Sequence, residues 1–330
     1  MKGTQFVKDF FNQIKNLSQP KLKIYKSFFE MFIENLKPYD QGIIFDGFAG
    51  QGVYRDESNQ INSDIIDVGS PILAMIAGIE YLNEQKRAHL RFIFIEKEFK
   101  SFKILCENIA QCFFHMVDGF KIVTIKSEKK AEFEIVDHNV YFNVQIYCDE
   151  FQNQIDLYNF ESLEENQKLL SILDPFGYKD LGHESLYKLV GKNKEILVTL
   201  MSKWINRHKE IDTHKESILS TLRIKENDLK ELINQNDIAF KFGEYLQQFN
   251  SNDHNIRPIY MKLRNSKIPY MLIYVAGQSI SYNAMFERFS NKSEQDFILY
   301  EWRQQPTTNY KVFYYYYYIF IISILDCKEL

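Results

Sequence analysis

Four short, mainly apolar runs in this chain each end on a carboxylate. Gly42 to Phe45 closes on Asp46, Leu90 to Ile95 on Glu96, Asn143 to Cys148 on Asp149, and Leu169 to Leu173 on Asp174. Apolar runs of strand length, alternating with segments whose apolar residues recur every three or four positions, predict strand–helix–strand units and therefore a parallel or mixed α/β sheet. Ligands of such sheets bind beyond the carboxyl ends of the strands, where the strand order reverses. Four acids at successive strand ends therefore predict a ligand site there.

The segments between the runs fit that architecture. Leu22, Ile24, Tyr25, Phe28, Phe29, Phe32 and Ile33 form one face of a helix over Lys21 to Leu36. Gly69-Ser70-Pro71 opens a second helix, with serine and proline in the types favoured at N-cap and N1, and a third is expected from Glu98 to Cys112. Phe120 to Ile125 and Glu132 to Val136 read as a hairpin around Ser127–Ala131. Glu195 to Met201 reads as a further strand, and Glu161 to Asn166 as a solvated acidic stretch.

The chain divides into an N-terminal helical segment (1–40), an α/β core (41–204), a polar helical insertion (205–253), a late strand pair completing the sheet (254–293) and an aromatic-rich tail (294–330). The late pair is Ile259–Leu263 and Tyr270–Ala276. In the tail, Val312 to Leu325 is a run of fourteen apolar or aromatic residues, shorter than the roughly 18–20 that a spanning helix needs. A low-complexity tail, a buried strand and an interfacial anchor all stand as readings of it, and no membrane span is expected.

Charge and cysteine usage bound the function classes. With 40 Lys and Arg against 44 Asp and Glu, the net charge of -4 excludes a histone-like binder held by bulk positive charge. Cys106, Cys112, Cys148 and Cys327 include no C-x-x-C pair, which speaks against a disulfide scaffold or a cysteine-rich zinc site and for reduced thiols in the cytoplasm. The N-terminus shows no signal-peptide pattern. His183, His208 and His214 have no metal-ligand spacing, and the latter two read as solvated helix residues.

The first acid runs into a glycine turn, Asp46-Gly47-Phe48-Ala49-Gly50-Gln51-Gly52, which lets backbone approach a ligand closely. An acid on the second strand, Glu96, is placed to accept hydrogen bonds from a ribose diol, and Asp149 to take an adenine amino group. The turn is neither G-x-G-x-x-G nor a P-loop, which weakens nicotinamide-dinucleotide and nucleoside-triphosphate readings.

The sequence F-D-G-F-A-G-Q-G resembles the first motif of S-adenosylmethionine-dependent methyltransferases, with Glu96, Asp149 and Asp174-Pro175-Phe176-Gly177-Tyr178 at the second, third and fourth. The combination of D-G-F-A-G-Q-G-V-Y, G-S-P-I-L-A and L-D-P-F-G-Y, followed by M-S-K-W-I-N-R, resembles more closely the bacterial three-Cys-motif partner protein family. Those are methyltransferase-like proteins encoded beside a Cys-motif, radical-enzyme-like protein. The resemblance implies a Rossmann-like class I methyltransferase sheet with a helical insertion. It also implies S-adenosylmethionine held by Asp46, Gly47, Phe48, Ala49, Gly50, Gly52, Ser70, Glu96 and Asp149. Read from the residues alone, Ser70 is equally a helix cap.

A more distant likeness is to the adenine-N6 methyltransferases of large-subunit ribosomal RNA, which carry an A-G-x-G-x-Y turn, G-S-P-L-I-A and a strand ending D-P-P-Y. It implies that Asp174 and the Pro175 carbonyl accept hydrogen bonds from a target amino group, with Phe176 or Tyr178 stacking on an extruded base. This chain departs from that pattern in having Phe176 in place of the second proline. The expected function is thus methyl transfer to a base amino group in RNA or DNA. The alternative is a non-catalytic, cofactor-binding partner of a neighbouring Cys-motif radical-type enzyme.

The stretch Arg257–Lys292 carries six Lys or Arg against one acid, with Tyr260, Tyr270, Tyr274 and Phe286 interleaved. It suits phosphate contact and base stacking, and equally a strand pair with outward cations. Arg257, Lys262, Arg264 and Lys267, with Lys203 and Arg207, are the candidate nucleic-acid contacts.

Overall fold

A computed structural model describes residues 20–54, 67–85, 88–116, 122–137, 140–182, 184–249, 258–263, 270–290 and 297–301. The chain opens with α1 (Pro20–Glu34), β1 (Gln41–Asp46) and the short pair β2 (Val53–Tyr54) and β3 (Asp67–Val68). Then follow α2 (Ser70–Gln85), β4 (Ala88–Glu96), α3 (Phe99–Met116), β5 (Ile122–Lys126), β6 (Lys130–Asp137), β7 (Val140–Cys148) and α4 (Phe151–Leu157). After β8 (Gln167–Leu173) and β9 (Lys194–Leu200) come four helices: α5 (Ser202–His208), α6 (Asp212–Leu222), α7 (Glu226–Glu231) and α8 (Gln235–Gln247). The last described elements are β10 (Ile259–Leu263), β11 (Met271–Ala276), α9 (Ser279–Ser290) and β12 (Phe297–Glu301).

Ten strands form one mixed sheet in the order β12-β10-β11-β9-β8-β1-β4-β7-β6-β5. The five central strands are parallel: β1 pairs with β4 and β8, β4 with β7, and β8 with β9. From β1 the chain steps to β4 and β7 on one side, then returns to β8 and β9 on the other, so the strand order reverses at β1. Beyond β9, β11 is antiparallel and wedged between β9 and β10. At the opposite edge, β5 and β6 extend the sheet as an antiparallel meander on β7.

Helices cover both faces, which is why the central strands read as continuous apolar runs. Ile44, Phe92, Leu170 and Leu197 point to the layer of α1, α2, α3 and α9, while Ile43, Phe45, Ile93 and Val198 point to that of α4, α5, α6 and α8. Helix α1 is fastened by Phe28, fully buried with its ring 5.0 Å from those of Tyr274 and Phe289. Its far end is held by Arg288 on α9, which reaches Glu30 at 2.6 Å and Glu34 at 2.8 Å.

The α/β class is as the sequence predicts; strands stand at Ile122–Lys126 and Lys130–Asp137 and at Ile259–Leu263 and Met271–Ala276, and helix follows β9 from Ser202 rather than from 205. The sheet nevertheless continues into the expected tail, because β12 pairs antiparallel with β10. The Val312 to Leu325 run lies outside the described residues, as do Cys327, His183, the N-terminal nineteen residues and most of the Tyr54–Val68 loop. Among the described residues no helix is long and apolar enough to cross a membrane.

Candidate functional site

The strand register brings the acids together. Asp46 pairs with Phe94 on one side and Ile172 on the other, so Glu96 and Asp174 each stand two residues further along the neighbouring strands. Glu96 pairs with Cys148, and Asp149 follows directly. All four carboxylates thus lie at the carboxyl edge of adjacent parallel strands, around the reversal of strand order.

The glycine turn is seated on both neighbours of β1. The Gly47 N–H donates to Ile172 O at 3.1 Å and the Ala49 N–H to Ile95 O at 2.9 Å. Gly50 (φ 61°) and Gly52 (φ 75°) adopt the left-handed conformation that side chains disfavour. A Cβ on Gly47 would lie 2.5 Å from Phe151 Cδ2. The far end of the turn is held by Asn108 Nδ2 donating to Gln51 O at 2.8 Å, and by the Gly69 N–H on Gly52 O at 2.7 Å.

Asp46 is 1% exposed. It accepts the Phe48 N–H at 3.0 Å and the Ser70 hydroxyl at 2.6 Å. Burial pushes its carboxyl up to about 7; the two hydrogen bonds oppose this, and the nearby Asp174 and Glu96 charges add to it. The Ser70 hydroxyl therefore serves Asp46, a use that a capping argument does not supply.

Glu96 is half-buried and accepts the Glu98 N–H at 2.7 Å. Asp149 takes three donors from the segment that follows it: the Glu150 N–H at 2.7 Å, Asn153 Nδ2 at 2.9 Å and Gln154 Nε2 at 2.8 Å. Burial would raise its carboxyl, but these bonds outweigh burial and hold it below the usual carboxylate range. An open cleft of ≈ 430 Å³ lies against Asp149, lined also by Lys97, Phe99, Glu128, Lys129 and Cys148. Asp46 and Asp174 do not line it. Cys148 is half-buried at this edge because the strand ends there.

Asp174 stands past the end of β8 with its Oδ2 2.6 Å from Lys21 Nζ of α1. Lys21 also lies over the rings of Tyr25 and Tyr270, 5.7 and 5.3 Å from their centroids. Tyr25 is 1% exposed and its hydroxyl pairs with Thr199 Oγ1 at 2.7 Å. The residues after Asp174 part company: Pro175 is buried, Phe176 is 98% exposed, and Tyr178 is 3% exposed.

The Tyr178 ring packs against Trp204, with centroids 5.0 Å apart, which leaves Phe176 as the exposed ring of this segment. Trp204 in turn stacks on His208 at 3.9 Å and meets His214 edge-on at 5.0 Å. Those histidines are half-buried partners of an aromatic stack rather than solvated helix residues, because α5 packs on α8 and α6 packs on α8 and on the Lys179–Gly182 turn after β8.

Of the candidate nucleic-acid contacts, Lys203 is half-buried and Arg207 exposed, both on α5, and Lys262 is half-buried on β10. Arg257, Arg264 and Lys267 lie outside the described residues. Sequence reasoning missed Lys21, read Tyr25 only as part of the apolar face of the first helix, and named Tyr270 only among the aromatics of the basic stretch. The only signal that joins Lys21 to Tyr25 was their place in the first turns of one helix, and nothing in the sequence joins either to Tyr270. Among the described residues no group of three His, Cys, Asp or Glu side chains is arranged to hold a metal ion. No protein-family model matches the sequence, and no curated protein does.

Proposed function

We propose that the chain is an S-adenosylmethionine-dependent methyltransferase acting on an amino nitrogen, with a nucleobase amino group of RNA or DNA as the acceptor. The observation that carries the reading is the register of Asp46 and Asp174. A glycine turn and a carboxylate followed by an exposed aromatic stand on adjacent strands, so a methyl donor held by the turn would face an amine held by the carboxylate. The parallel centre of the sheet with helices on both faces, extended by β11 between β9 and β10, is compatible with the Rossmann-like fold that the resemblance implies.

The residues suit that cofactor by their chemistry. Gly50 and Gly52 offer backbone without side chains, Glu96 offers a carboxylate to a ribose diol, and the cleft at Asp149 gives room beside the strand ends for a purine. When bound, S-adenosylmethionine supplies an electrophilic methyl group on a sulfonium. Asp174 and the Pro175 carbonyl would accept hydrogen bonds from the acceptor's N–H groups, aligning the nitrogen lone pair, and Phe176 would stack on the ring that carries the amine. The rate gain asked of the protein is mainly positioning.

Transfer of labelled methyl from the cofactor to RNA, DNA and protein pools tests this. RNA or DNA labelled by the wild type and not by Asp174→Ala supports it. The pairing of Asp174 with Lys21 favours a second reading, in which the chain binds the cofactor but serves a Cys-motif partner. Cofactor binding with no pool labelled, even with that partner present, would favour the second.

A further inference from the structure

The carboxylate that methyl transfer would use to receive an amine already holds one. Lys21 Nζ lies 2.6 Å from Asp174 Oδ2 and faces the rings of Tyr25 and Tyr270 at 5.7 and 5.3 Å. A carboxylate with two electron-rich ring faces is the chemistry that recognises an ammonium group. The cage is built into the fold. Tyr25 is buried and tied to Thr199, Tyr270 leads directly into β11, and α1 is locked to the sheet by Phe28 and to α9 by Arg288. Lys21 itself is the adaptable part, a flexible chain whose side chain is 18% exposed.

We propose that Asp174, Tyr25 and Tyr270 form a receptor for an aliphatic ammonium group, filled by Lys21 as a tethered ligand, and that an acceptor reaches Asp174 by displacing it. Ammonium binding stands on the geometry alone; the gating of an acceptor rests on the methyl-transfer reading.

The test is to excise the ligand and return it free. Lys21→Ala removes a propylammonium-sized piece, so propylammonium chloride is the probe and 1-propanol the uncharged control. Saturating propylammonium should raise the melting midpoint of Lys21→Ala by roughly 2–4 °C. It should leave the wild type and Lys21→Ala/Asp174→Asn unmoved, and propanol should do nothing. An equal response to propylammonium and propanol in Lys21→Ala, or a response that survives the Asp174→Asn change, overturns the proposal. Lys21→Ser takes the same test if the alanine variant does not fold. If neither folds, recovery of the folded state in propylammonium is the positive result and its absence the negative one. Cofactor binding by the wild type is measured alongside. An ammonium response without cofactor binding removes methyl transfer alone, whereas cofactor binding without an ammonium response removes the receptor alone.

Discussion

The hydroxyl of Ser70, the first residue of α2, donates to the buried carboxylate of Asp46 at the end of β1 across 2.6 Å. The bond ties the helix start to the strand end and leaves the glycine turn between them as a braced loop. Ser70→Ala removes one of the two donors that oppose the desolvation of Asp46. Hydrogen bonds to charged groups are worth about 1.5–3 kcal/mol, so the variant should lose stability of that order where Asp46 is ionised, and less where it is protonated. Urea unfolding at pH 5.5 and pH 8.5 reads the difference.

Asp46 also sets a pH dependence whose sign is fixed by its raised carboxyl, about 7 in the folded chain against an ordinary 3.8. Between those values the folded state binds the proton more tightly than the unfolded state. The contribution is therefore full below about pH 4 and is lost as pH rises through about 7. Asp46→Asn lacks this titration. Relative to wild type, the asparagine variant should gain stability from pH 4 to pH 8, by up to roughly 4 kcal/mol. Unfolding free energies of both proteins across that range check it, and a constant difference would contradict it.

Two glycines of the site should answer oppositely to alanine. At Gly47 the new methyl would meet the Phe151 ring at 2.5 Å, and overpacking of this kind costs about 1–3 kcal/mol. At Gly177 it would meet nothing within 4 Å, and a change of less than about 0.5 kcal/mol is expected. Thermal unfolding of Gly47→Ala and Gly177→Ala compares them directly.

Phe28 and Arg288 both secure α1, yet they should differ in weight. Phe28→Ala empties a fully buried ring site and should destabilise by about 3–5 kcal/mol. Arg288→Ala breaks partly exposed ion pairs to Glu30 and Glu34 and should cost about 1 kcal/mol or less. Denaturant midpoints separate the two.

Much of the frame was legible because its signals are local. Four of the five central strands are apolar runs stopped by an acid, and each neighbouring helix announces itself by spacing. Their common edge followed from the rule that parallel strands end together. What escaped the sequence is contact between distant residues: Lys21 and Asp174 are 153 positions apart, and nothing in either segment specifies the other. Likewise, Phe176 and Tyr178 look equivalent in the motif. Only the fold puts Tyr178 under Trp204 of α5, while Phe176, two residues earlier, stands in solvent. The short β12 was lost in a tail whose composition drowns a five-residue strand.

The proposed function requires that the strand edge from Asp46 to Asp149 bind S-adenosylmethionine. Isothermal calorimetry of the whole chain with that cofactor tests it most directly, set against Gly47→Ala, Asp46→Ala and Phe176→Ala. Binding by the wild type is expected, weakened at least tenfold by the first two changes and untouched by Phe176→Ala, whose ring is in solvent. No heat of binding from a folded wild-type chain, or binding indifferent to Asp46 and Gly47, would contradict it.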